Sequence, residues 1–343
     1  MTVRCFTSIS FNYLAKARTL GWSLKRFHPD WLLTLCLTDR EPEGFRFDLA
    51  DEPFDDIFWS DELPIANPRG WLFKHEVVEA CTAVKGPALH LLTQSDAEKI
   101  FYLDPDVAVF APLTPMLEML DEASILLTPH QLTPEDKGDA VIDNEICSLA
   151  HGTYNLGFLA IRNDARGKAL AAWWNERLLE YCFDDKTAGI FVDQKWCDLV
   201  PAMFDGVMIV RDPGYNVASW NLSNRRIAIE SDGAVRVNGQ PLRFFHFTKL
   251  GPIGDTMTRK YAQDNVEVYE LWSWYKRMVD QFAEPRIPPG WWQFGKFDNG
   301  FAIPRAARLL YRERADLRAA FGDPFAAGEG SYFEWLRAEG RLG

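Results

Sequence analysis

Apolar and polar positions alternate with two distinct periods along the N-terminal third of the chain. VRCFTSIS is a short apolar run, Leu14, Ala17, Gly21 and Leu24 then recur at helical spacing, and WLLTLCLTD is a second apolar run closing on polar residues. DDIFWS predicts a further strand before a polar, proline-containing connection. Helical patterns around HEVVEACTAVKG and PALHLLTQSD lead into the strand KIFYLD. Strands alternating with helices predict a largely parallel α/β sheet covered on both faces, with ligands bound beyond the C-terminal ends of its strands.

After residue 123 the pattern changes. ASILLTPH precedes a polar loop over 131–146, then come the strand TYNLGFLAIRN and the helix ALAAWWNERLLEYC. Shorter strands are predicted at VMIV, RRIAIE, GAVRVNG and RFFHFTK, with SDG and NG marking turns. Beyond residue 250 the chain becomes helical and aromatic, and it finishes in the helix SYFEWLRAEG. The expected division is a catalytic domain over 1–250 and a helical, aromatic extension over 251–343 packed on it.

Composition narrows the partners. The 343 residues are 47% hydrophobic and carry a net charge of −12, enough apolar content for a large core and the wrong sign for a nucleic-acid partner. MTVRCFTSISFNYL lacks a basic-plus-apolar leader and no long apolar run occurs, so the expectation is a soluble cytoplasmic protein. Six cysteines without C-x-x-C spacing are expected as buried free thiols.

The candidate chemistry begins in KIFYLDPDVAVF. Residues two apart on an extended chain share a face, so Asp104 and Asp106 would project together while Pro105 ends the strand. Such carboxylates repel by up to about 4 kcal/mol at ~4 Å and an effective dielectric of ~20. A divalent cation removes that penalty, and oxygen ligands suit Mg²⁺ or Mn²⁺ with positions left for substrate phosphates. The alternative is a plain Asp-Pro-Asp turn.

FYLDPDVAVFAPL resembles the aspartate-any-aspartate region of GT-A glycosyltransferases, which transfer sugars from nucleotide-sugar donors. TAVKGPALHLL, YNLGFLAIRN, FVDQKWCDLV and FFHFTKLGPIG resemble, in order, further elements of glycosyltransferase family eight. The resemblance spans about residues 3 to 254. It implies a Rossmann-like GT-A sheet, a nucleotide-sugar donor (a UDP-sugar), transfer with retention and a metal, Mn²⁺ or Mg²⁺, held by Asp104, Asp106 and His246. His246 could equally be a core histidine on its aromatic strand. TKLGPIG departs from the family's Lys-Pro-Trp order, which weakens Lys249 as a diphosphate contact.

The resemblance also implies that Asp104 lies near the donor ribose or sugar, that Thr7, Ser8, Ser10 and Tyr13 meet the base and ribose, and that Asp193 and Gln194 face the reacting sugar. Lys85 and Lys249 are the candidate cations for the leaving diphosphate. Asn155 and Gly157 would let the sugar approach the chain. Each has a plain alternative: Lys85 as a solvated helix end, Ser10 and Asn12 as helix caps, Asn155 as a structural amide, Asp193 as an N-cap. Without a dedicated base the departing diphosphate would help deprotonate the acceptor, whereas an inverting enzyme would need one of the acidic residues near 131–146.

In the C-terminal part, Arg305, Arg308 and Arg312 recur near one helical face and could dock on anionic lipid or a carrier diphosphate, against the alternative of a solvated face. Trp291, Trp292 and Phe294 could line an acceptor groove or pack as a loop. The expected partners are the donor and a glycan or lipid-linked glycan acceptor of the kind used in surface polysaccharide assembly. Two rivals are a sugar nucleotidyltransferase, for which FTSISFNYL lacks a Gly-rich phosphate loop, and a non-catalytic, cation-dependent carbohydrate-binding protein.

Overall fold

The computed structural model describes residues 1–342. The strands that frame the site are β1 (Val3–Ile9), β2 (Leu32–Leu37), β3 (Asp56–Trp59), β4 (Lys99–Leu103), β5 (Val107–Val109), β6 (Ile125–Pro129), β7 (Tyr154–Arg162), β8 (Val207–Ile209) and β9 (Phe244–His246). Among the described residues a seven-stranded sheet runs β8-β6-β7-β4-β1-β2-β3. Its pairs are parallel except at β7, which lies antiparallel between β4 and β6. The predicted mixed α/β, mostly parallel sheet is therefore what the chain forms.

Side-chain alternation along β4 explains the two layers of core. Ile100 and Tyr102 join one buried apolar cluster, while Phe101 and Leu103 join another on the opposite face. The first face is covered by α3 (Lys85–Leu92) and α4 (Ala165–Tyr181), preceded by α2 (Val77–Ala83). Gly86 lets α3 and α4 approach, since a Cβ there would lie 2.9 Å from the Cα of Asn175. On the second face α1 (Leu14–Phe27) buries Leu14, Ala17, Leu20 and Leu24. Burying four such side chains contributes on the order of several kcal/mol. The predicted NG turn follows the strand Val235–Val237, with Asn238 at φ 50° and Gly239 at φ 83°.

The residues after 250 build α5 (Val266–Gln281) and α6 (Arg305–Glu313). Tyr275 of α5 stacks on Phe247 with ring centroids 4.0 Å apart. Phe294, Phe297, Tyr311 and Tyr332 pack with Trp71 and Phe73 in the first cluster. The loop before them is pinned to the ends of the sheet: the Trp291 and Trp292 indoles donate to the carbonyls of Arg40 (2.8 Å) and Thr38 (2.9 Å), and Phe294 is buried. Phe294 of this loop is core-packed, while Trp291 and Trp292 stay half-buried against the two apolar clusters.

The expected arginine face is also corrected. Arg308 is only 2% exposed and donates to the carbonyls of Phe73 and Phe294. Arg312 stacks 3.5 Å over Phe183 and pairs with Glu79 at 2.8 Å. Only Arg305 of the three stays exposed, so this helix presents no basic surface to a membrane. Among the described residues no helix is long and apolar enough to cross one. Cys5, Cys36, Cys182 and Cys197 are buried free thiols as expected, but Cys81 is half-buried and Cys147 exposed.

Candidate metal and donor site

The strand β4 stops at Leu103 and the chain turns, with the Val107 amide donating to the Asp104 carbonyl at 3.0 Å. Pro105 cannot extend the ladder, so this turn separates β4 from β5. The turn reading holds, and the turn aims both carboxylates at one imidazole. β5 pairs antiparallel with β9 in a register that sets His246 opposite Val107, next to Asp106. His246 Nε2 lies 2.9 Å from Asp106 Oδ1 and 3.6 Å from Asp104 Oδ2. Asp104, Asp106 and His246 each offer a ligand atom within 4.8 Å of the others.

The amides around His246 fix its tautomer. Asn155 Oδ1 accepts from the Gly157 amide (3.0 Å) and from Asn216 Nδ2 (3.0 Å), so it is the acceptor end that meets His246 Nδ1 at 3.2 Å. Nδ1 therefore carries a proton and donates, which leaves Nε2 to face the carboxylates. Gly157 has a different task from the expected one. A Cβ there would lie 2.4 Å from His246 Nδ1, so the missing side chain makes room for the imidazole. The donor set of two carboxylates and one oriented imidazole nitrogen fits a divalent cation of the Mn²⁺ or Mg²⁺ kind.

Burial disfavours charge throughout the cluster, and partners oppose it. It pushes Asp106 upward, but the facing His246 outweighs this and holds the carboxyl down at about 2. Burial likewise lowers His246 while Asp106 raises it further, to a net upward shift. Lys85 is not a solvated helix end. Its side chain is 4% exposed, its ammonium lies 2.8 Å from Asp193 and 3.1 Å from Asp104, and it sits over the Tyr102 ring at 4.2 Å. Burial acts against its charge, and the two carboxylates override it and raise its pKa well above the lysine range. Asp193 moves up, burial outweighing the help of Lys85.

Asp193 does not cap a helix. It follows Val192, a β-branched residue held at φ 39°, a strained conformation that turns the Asp193–Gln194 step inward. The short helix behind starts at Lys195 and draws no side-chain cap. Gln194 Oε1 accepts from Asn155 Nδ2 and from the Leu156 amide, both at 3.1 Å, and its Nε2 donates to the His151 carbonyl at 3.1 Å. The Gln194 amide thus ties Asn155 and Leu156 of β7 to the His151 carbonyl.

The N-terminal residues divide. On β1, Thr7 falls on the face of Cys5 and Ile9, and Ser8 on the opposite face. Ser8 donates to the Cys81 carbonyl at 2.6 Å. Ser10 is buried without a side-chain cap bond, and the Asn12 side chain reaches the Trp291 carbonyl. Tyr13 is 39% exposed at the rim. Lys249 is exposed with φ 53° and does not join the cluster. Two contributors went unnoticed in the sequence. Tyr102 donates to Asp104, and its i, i+2 spacing was the available signal. Lys16 lies 3.8 Å over the Tyr13 ring, on the same helical face; its pKa is lowered by burial, with Asp106 opposing.

No family model matches the chain. It is 29% identical over 178 residues to the uncharacterized protein YfnF of Bacillus subtilis strain 168, covering 50% of this chain and 56% of that one. To YfnD of the same organism it is 28% identical over 177 residues, 50% of this chain and 53% of the other. The chain spans about half the length of these curated relatives. Among solved structures it is similar to the galactosyltransferase LgtC in complex with donor and acceptor sugar analogues (TM-score 0.45, 14% identical, 84% of this chain and 99% of that one). It is also similar to the glycosyltransferase GlyE of Streptococcus pneumoniae TIGR4 (TM-score 0.43, 17% identical, 82% and 63%). The distances at the site, and not these likenesses, bear on function.

Proposed function

We propose that the chain is a metal-dependent glycosyltransferase that moves a sugar from a nucleotide-sugar donor, a UDP-sugar, to a glycan or glycoconjugate acceptor with retention. One observation carries the reading: Asp104 and Asp193 share one ammonium, Lys85, while Asp104 and Asp106 converge on the His246 imidazole, whose second nitrogen is already oriented, so three carboxylates gather about one ammonium and one imidazole. A divalent cation is the natural complement to that gathering, and its place beyond β4 is where parallel sheets bind nucleotides.

Asp104, Asp106 and His246 would hold the metal, which supplies charge stabilisation for a departing diphosphate when bound. Lys85 bridges Asp104 and Asp193 and so acts as a charge link between the metal cluster and the sugar side of the site. Lys16, beside Tyr13, joins Lys85 and Lys249 as a candidate contact for the diphosphate. Asp193 faces the transferring sugar, and Gln194 positions Asn155 and through it His246. Glu135, Asp139, Asp143 and Glu145 in the polar loop are engaged in local bonds and ion pairs while Asp136 is exposed, and retention is carried over from the family resemblance.

The test is thermal shift with a panel of nucleotide sugars, with and without Mn²⁺, beside an assay for nucleoside diphosphate release. The expected result is a Mn²⁺-dependent shift with a UDP-sugar that Asp106→Ala abolishes. A shift unchanged in that variant would overturn the site, and binding without release across a broad acceptor panel would favour a non-catalytic carbohydrate-binding protein.

A further inference from the structure

A second cleft of about 340 Å³ opens away from the metal cluster, between α1, α5 and the turn around Gly233. Its volume is at the lower end of the range of about 300–1,000 Å³ usual for small-molecule sites. Trp22 and Trp274 form two walls, with ring centroids 6.5 Å apart and planes inclined at 43°, and Phe110 backs Trp274 at 5.1 Å. Arg26, Arg277 and Glu270 stand exposed around them.

The guanidinium charges in this cleft have no carboxylate partner, although Arg26 lies over the Trp22 and Phe27 rings, 6.0 and 5.7 Å from their centroids. Elsewhere on α1, Arg18 and Lys25 are tied to Glu52 and Asp55, and on α5 Lys276 is tied to Asp255. Among the described residues, Arg26 and Arg277 have no carboxylate partner and make no side-chain hydrogen bond, and the Trp22 and Trp274 indole N–H groups donate to nothing. Two unpaired guanidiniums on one cleft of a chain with net charge −12 form a local positive spot on an acidic molecule. Guanidinium forks match carboxylate geometry, and flat indole faces match the apolar face of a sugar ring. Glu270 adds an acceptor for hydroxyl groups.

We propose that this cleft is an accessory binding site for an acidic glycan, taking a sugar ring against Trp22 and Trp274 and its carboxylate against Arg26 and Arg277. The choice of a glycan rests on the glycosyltransferase reading; the anion preference stands on the cleft alone. The site is connected to the metal centre through β5, which leaves Asp106 at one end and reaches Phe110 in the cleft, roughly 13 Å along an extended chain. An acidic chain held here would lie on the same molecule as the transfer site without entering it.

The experiment is calorimetric titration with a glucuronate-containing tetrasaccharide, the same tetrasaccharide with its carboxyl groups reduced, and inorganic phosphate as competitor. The intact compound is expected to bind about tenfold or more tighter than the reduced one, with affinity falling as salt rises. Arg26→Gln with Arg277→Gln should remove that preference, and Trp22→Ala should weaken both sugars together. Equal binding of the two compounds, no binding, an unchanged double variant, or phosphate competing as well as the glycan would each overturn the proposal. The same samples are measured for the Mn²⁺-dependent donor shift, which the double variant should keep. Loss of that shift in the unaltered protein would strike the transfer reading alone and leave the cleft to the titration.

Discussion

Lys85 and Arg308 are both cations buried almost completely, one at the C-terminal edge of the sheet and the other beneath the C-terminal segment. Arg308 spends its donors on the carbonyls of Phe73 and Phe294, and its guanidinium stacks within 5.3 Å of the Phe73 ring and 4.9 Å of the Trp292 ring. Lys85 instead faces two carboxylates that belong to a larger acidic group. The first is internally satisfied and serves the fold. The second gathers more carboxylates than ammonium groups, a condition that the proposed divalent ion would complete.

The sharpest way to break this contrast is Asp106→Ala. On the proposed reading a bound metal would contribute several kcal/mol of charge stabilisation, so sugar transfer should fall by about a thousandfold or more while the fold survives, as read by steady-state turnover and circular dichroism. Activity within tenfold of the parent would mean that the gathered carboxylates have no role in turnover. Arg308→Ala probes the other region. Leaving two carbonyls and a cavity unfilled should cost about 3 kcal/mol in denaturant unfolding, with the Mn²⁺-dependent shift intact. A lost shift at full stability would erase the distinction.

Gly157→Ala gives a smaller effect. Its Cβ would press on the His246 imidazole, and metal affinity should drop by about ten- to a hundredfold, as for other groups that orient a ligand. Calorimetry with Mn²⁺ decides it, and unchanged affinity would show that His246 relocates freely.

The smallest effect is at His28, far from the cluster. Its Nε2 accepts from the Leu113 amide at 2.7 Å, which requires a neutral ring, and burial lowers its pKa to about 4. The unfolded chain takes up a proton near pH 6.5 while the folded protein resists until about 4, so stability falls as pH falls through that window. The loss should be about 2 kcal/mol, below the ceiling of 1.36 kcal/mol per unit because the site is partly wet. Urea unfolding at pH 7 and pH 4.5 measures it, and His28→Gln, which keeps an acceptor, should flatten the slope.

Much of this was legible in the residues. β1, β2, β3, β4 and β7 followed from apolar runs and their punctuation, and the Asp-Pro-Asp break announced the cluster. The burial of Lys85 was not legible, because it depends on α3 seating against α4, two elements separated by more than seventy positions. Nor was the fate of Arg308, whose partner carbonyl at Phe73 lies 235 positions away. Periodicity registers which face of a helix is polar but not whether another segment will cover it. Gly157 looked like space for a sugar, since a glycine in a strand signals close approach without saying by what.

The pinned loop at Trp291 and Trp292 bears on how the protein can be cut. A fragment ending at residue 250 would lose the aromatic partners of Trp71 and Phe73 and unlatch the carbonyls of Thr38 and Arg40 beside the first two strands. Such a truncation should be insoluble or molten, and the tail is better regarded as the lid of the hydrophobic interior than as a detachable module.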